Sequence, residues 1–234
     1  MTVAFFLGLA AGFGGFALGT LGGFADGATL LLSLDNSAGT FTGGVALSSD
    51  LTVSGSSARL RVAGGLTLNG TIHLTGSNAQ VRSFGNQTFG DNGTISFEGT
   101  SGSIRRLTIE GTSTLTLANT FKVVGGYASV GEQWETGGTN NLVNNGLINA
   151  NVASQSLTVG VNNVFTNAGA FQAANGGTAI GNNIVIAATG TASATDSTLT
   201  FGGNWSNAGA ITIVNATLNL GGTFPTAALG TVNR

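Results

Sequence analysis

The chain has 234 residues, with seven Lys+Arg, nine Asp+Glu and no Cys. So little charge, and the lack of a basic patch, argue against nucleic acid or an acidic membrane surface as partner. The lack of Cys removes disulfide and thiolate chemistry without fixing a compartment. Forty Gly and a single Pro indicate many turns, while 41% hydrophobic residues are enough for a core.

Residues 1–25 contain no charged side chain and seven glycines. Their length fits a membrane span, and Gly15, Gly19 and Gly23 at four-residue spacing would lie on one helix face. A secretory signal and an apolar first coil are the other readings, although a basic n-region is missing. Residues 26–234 form the second unit.

From Leu30 onward the chain repeats apolar–small polar–apolar, followed by Gly or Asn. Examples are Leu51-Thr52-Val53, Leu66-Thr67-Leu68, Ile72-His73-Leu74, Leu107-Thr108-Ile109 and Leu199-Thr200-Phe201. Such alternation predicts short half-buried strands, apolar side chains inward and Thr outward, with Gly and Asn turns between them. Residues 122–141 interrupt the rhythm. They hold Tyr127, Glu132, Trp134 and Glu135, an expected surface loop that either binds a ligand or folds back on the body.

Residues 163–224 carry the clearest repeat. Phe165-Thr-Asn167-Ala-Gly-Ala returns forty residues later as Trp205-Ser-Asn207-Ala-Gly-Ala, and Leu142-Val-Asn144-Asn-Gly146 is a looser copy. The other spacings are 19 and 23 residues, giving a unit of about twenty. A sandwich gives no reason for a constant repeat. The pattern therefore predicts an all-β fold: a parallel β-helix or solenoid of about ten coils, right-handed by the usual crossover rule. Asn167 and Asn207 are expected to form a corner ladder, and Phe165 and Trp205 another line, with Asn207→Leu destabilising. Residues 229–234 read as the start of a further coil, so flanking repeats of a longer chain are expected as partners.

The Thr/Asn/Gly-rich strands and the Asn-Ala-Gly-Ala-Ile-Thr-Ile and Leu-Asn-Leu-Gly-Gly-Thr-Phe phrases resemble large repetitive bacterial surface proteins. These include autotransporter passengers and filamentous-haemagglutinin-like β-strand-repeat adhesins. The resemblance covers about residues 47–234. It implies an exported β-helix, secreted or held at the cell surface in association with the outer membrane. It also implies surface carbohydrate or a host or neighbouring cell surface as partner.

No catalytic, metal or cofactor motif stands out. His73 is the only His, too few for a zinc cage or a Ser-His-Asp triad, and the Asp residues do not follow the calcium nonapeptide pattern. No Gly-Lys-[Ser/Thr] loop is present. The Thr-x-Thr stretches are too irregular for an ice-binding face. The local acid–base candidate is Glu98, Arg105, Arg106 and Glu110, with Arg82 expected nearby; surface ion pairs are the simpler reading. The expectation is a non-enzymatic structural or adhesive solenoid segment. The alternative is a polysaccharide-binding or polysaccharide-cleaving β-helix enzyme.

Overall fold

The computed structural model describes residues 17–18, 30–32, 36, 38–100, 103–132 and 137–234. The strands stack into three parallel sheets. The first sheet has ten strands, from Ala17–Leu18 to Thr217–Leu220. The second has eight, from Val45–Leu47 to Ser206–Asn207, and the third has ten, from Leu30–Leu32 to Thr231–Asn233. Each coil visits the first, second and third sheets in turn, then returns one level along. The fold is a β-solenoid of about 9 turns of ~22 residues. Ten strands at a spacing of ~4.8 Å make a stack about 43 Å long.

The strand motif explains the cross-section. Leu51–Val53, Leu66–Leu68 and Ile184–Ile186 bury their first and last residues and turn the middle one outward. The inward side chains of all three sheets meet in one apolar column running from Phe41 to Ile211. Phenylalanines fill its wider points: Phe165 meets Phe171 edge to face at 5.4 Å between ring centroids, and Phe89 lies 5.9 Å from Phe121. Successive coils are joined along the axis by backbone hydrogen bonds in all three sheets, so nearly every strand is paired on both edges.

The coils are unequal. Register pairs differ by 21 residues for Thr40 and Arg61, 29 for Val130 and Val159, and 19 for Phe201 and Leu220. The longest coil absorbs the predicted interruption, but most of that segment is regular. Lys122–Gly126 is a strand of the third sheet and Ala128–Gly131 one of the first. Of the rest of that segment, residues 132 and 137–140 lie between strands, and 133–136, with Trp134 and Glu135, lie outside the described residues. Buried Asn140 pins the return: its Nδ2 donates to the carbonyls of Ile109 and Gly131, and its Oδ1 accepts from the Asn162 amide.

The forty-residue repeat spans two coils, which corrects the expected ladder. Asn167 pairs in register with Ile186, and Ile186 with Asn207. The direct amide contact is instead between Asn144 and Asn167, whose register positions adjoin. Asn144 Nδ2 donates to Asn167 Oδ1 at 2.8 Å, both side chains fully buried. Asn207 does not join them; its Nδ2 donates to Leu229 O and its Oδ1 accepts from Gly209 N. Phe165 and Trp205 are likewise two coils apart, with Ile184 pairing next to Phe165. Trp205 packs on Phe201 and Phe224, and its Nε1 donates to Gly221 O.

The membrane or export segment expected over residues 1–25 lies outside the described residues except for Ala17–Leu18, which pairs with Thr40 and Phe41. Among the described residues no helix is long and apolar enough to cross a membrane.

Candidate functional site

Strand register gathers what the sequence scatters. On the outward face of the first sheet, Arg59 pairs with Gln80, Gln80 with Arg106, Arg106 with Ser129, and Ser129 with Thr158. These five positions make one lane along the solenoid axis. In the adjacent lane Arg61 pairs with Arg82, and Arg82 with Thr108. Four of the chain's seven cationic residues thus share one face, a basic patch that the linear sequence hides.

Two carboxylates sit among them. Glu110 is buried, with 5% of its side chain exposed; its Oε2 lies 2.7 Å from Arg61 Nε and its Oε1 3.5 Å from Arg82 Nη1. Arg61 also covers the Phe84 ring at 3.8 Å from its centroid, and Arg82 Nε donates to Gln80 Oε1. Arg106 lies 3.5 Å from Glu132 Oε2 and donates to Ile104 O. Arg61 and Arg82 thus share Glu110, and Arg106 meets Glu132.

A groove of about 410 Å³ continues this lane. Ser129, Thr158 and Asn182 lie along it, and Ile104, Tyr127 and Glu132 also line it. Ile104 precedes the strand Arg105–Glu110 and Glu132 follows Ala128–Gly131, so residues of two different connections line the same surface. The insertion before Arg105 carries no composition signal of its own in the sequence.

Tyr127 occupies the corner between the third and first sheets with φ +45°. The other described non-glycine residues with positive φ are Asn, Asp or Ser, whose short polar side chains tolerate that region. A bulky ring held there is strained, and strain of this kind concentrates at functional sites. Of the expected loop residues, the structure thus brings Tyr127 and Glu132 together in one groove.

The acid–base candidate does not assemble. Arg105 points inward, its Nη1 donating to Ser103 O and its Nη2 to Thr75 O; burial pulls this guanidinium below its ordinary pKa. Arg82 reaches Glu110 and not Arg105. Glu98 lies on the third sheet, where its Oε1 is 2.6 Å from His73 Nδ1, while Asp50 Oδ2 is 3.8 Å from His73 Nε2. Glu98 and Glu110 therefore sit on different sheets and cannot flank one scissile bond. A second groove, of about 570 Å³, is lined by Asn162, Asn163, Asn183, Asn204 and Val185 beside Trp205.

Compared with protein-family models, curated proteins and solved structures, the chain matches none.

Proposed function

We propose that this chain is a structural and adhesive β-solenoid segment of an exported surface protein, contacting polysaccharide through the outer face of the first sheet. The observation that carries the reading is the groove at Tyr127. An aromatic ring, a carboxylate, hydroxyls and an amide converge on a rigid floor, the mixture that suits sugar rings and their hydroxyl groups. The fold supports the structural half of the reading, because a straight stack of coils can hold a binding face at a distance from its anchor.

The test is to incubate the full chain with a panel of surface polysaccharides and score retention and product release in the same tubes. Retention without new reducing ends supports the adhesive reading. Release of shorter products would replace it with a polysaccharide-cleaving enzyme and direct attention to Glu132 and Arg106. No retention on any polymer would leave only the structural half.

A further inference from the structure

We infer that the groove beside Trp205 is a second ligand site and that it takes a neutral polysaccharide lying along the solenoid axis. It stands or falls without the groove at Tyr127, because the two share no lining residue.

Strand order builds the site. Asn163 lies two residues before Phe165–Asn167, Asn183 one before Ile184–Ile186 and Asn204 two before Ser206–Asn207. These strands are neighbours in the second sheet, so the three amides stand at one corner of successive coils. Thr223, bridged to Asn204, adds a fourth level. The polar side chains thus rise through three strand spacings, about 14 Å, along the axis.

The protein holds this corner and leaves it open to solvent. Asn183 has φ +53°, and its Oδ1 accepts from Asn204 N at 3.1 Å. Gly203 makes room for that amide, since a Cβ there would strike Asn183 Oδ1. Asn162 Nδ2 donates to Gly138 O at 2.7 Å, and Asn163 Nδ2 to Asn141 Oδ1 at 2.9 Å. These bonds set the groove wall before a ligand arrives, so little side-chain freedom is lost on binding. Asn163, Asn204 and Thr223 are exposed. The Asn204 side-chain amide, Asn163 Oδ1 and the Ser206 and Thr223 hydroxyls make no hydrogen bond among the described residues.

These groups define the ligand class. A side-chain amide offers a donor and an acceptor together, and a sugar hydroxyl can answer either. Val185, 37% exposed, adds an apolar floor for the C–H face of a sugar ring. The lining carries no charged side chain, so a charged polymer would lose hydration there without gaining a counter-charge. A neutral polymer presents hydroxyls at intervals along its length, to be met by the amides of successive coils.

The test titrates the full chain by calorimetry with dextran, laminarin and galactomannan, which are neutral, and with polygalacturonate, which is anionic. At least one neutral polymer is expected to bind about tenfold more tightly than polygalacturonate, and equally at low and high salt. Val185→Asp, which places a charge in the floor, should weaken that binding about tenfold. Asn204→Ala should weaken it about fivefold, the worth of one lost hydrogen bond. Both positions are exposed, and Asn183 holds the backbone N–H of Asn204, so the urea midpoint of each variant should match wild type. That match separates loss of the site from loss of the fold. Tyr127→Asn should leave binding at this groove in place.

Neutral binding that vanishes in Tyr127→Asn but survives Val185→Asp would overturn the second site and keep the adhesive reading on the first sheet. Polygalacturonate binding as tight as the neutral polymers, and equally sensitive to Val185→Asp, would overturn the neutral class. Failure of all three neutral polymers would overturn the inference. Polygalacturonate binding that is lost only in Tyr127→Asn would, in that case, still support the adhesive reading.

Discussion

The two halves of the stack hold their coils together differently. Between Arg59 and Glu132 the first sheet carries ion pairs on its outer face, and the matching interior line of the second sheet is apolar, with Phe89 paired to Leu117. Beyond Leu142 that outer face has no charged side chain, and the same interior line becomes Asn144, Asn167, Ile186 and Asn207. Buried amides there do for the coils what guanidiniums on the outer face do earlier, linking each to the next with specific register. The first solution is electrostatic, and the second buries the amides that link the coils.

Substitutions in the two halves should separate these roles. The largest effect is expected from Asn167→Leu. It leaves Asn144 Nδ2 without one of its acceptors and Thr191 O without its amide donor, all in a buried site. The loss should be about 2–4 kcal/mol, read from the urea midpoint, and insensitive to salt. Gly169→Ala in the same corner follows, at about 2–3 kcal/mol, because the new Cβ would strike the Gly146 carbonyl of the preceding coil. By contrast Gly85, in the charged half, needs only its positive φ and has open space around it; Gly85→Asn should cost well under about 1 kcal/mol by the same assay.

Glu110→Gln should destabilise by about 1–2 kcal/mol, since Arg61 is 39% exposed on its side-chain atoms and water screens part of the pairing. The difference between wild type and this variant should shrink in 1 M NaCl, which the Asn167 variant would not show. The remaining effect has the opposite sign. Tyr127→Asn should raise the melting temperature modestly, by about 0.5–1 kcal/mol in stability, by placing a residue tolerant of the left-handed region at that corner. A lowered melting temperature would mean that the ring holds its position by packing.

Much of the fold was legible because inward and outward positions alternate strictly. Leu51–Val53, Leu66–Leu68, Ile72–Leu74 and Leu199–Phe201 are strand segments with the expected faces, whereas Thr108 between Leu107 and Ile109 is buried. The repeat of Asn-Ala-Gly-Ala pointed to stacking over sandwich packing. It misled on which residues adjoin, because the intervening coil has Ile186-Ala-Ala where its neighbours have Asn-x-Gly. The site was less legible. Tyr127 and Glu132 were flagged by composition. The basic face was not, because Arg59, Arg82 and Arg106 meet only once coils of unequal length are placed in register. Glu98 and Glu110, though close in sequence, end consecutive strands and therefore lie on different sheets.

The hydrogen bonds between coils run along the axis in all three sheets, and this sets how the rod answers a mechanical load. A pull on its two ends acts directly on the bonds of the outermost coil, which yields before the next one is loaded. Each coil of ~22 residues, once peeled away, releases about 70 Å of extended chain in exchange for one ~4.8 Å layer. Under tension the molecule should therefore lengthen in discrete steps, a stiff spacer at low force and a shock absorber at high force.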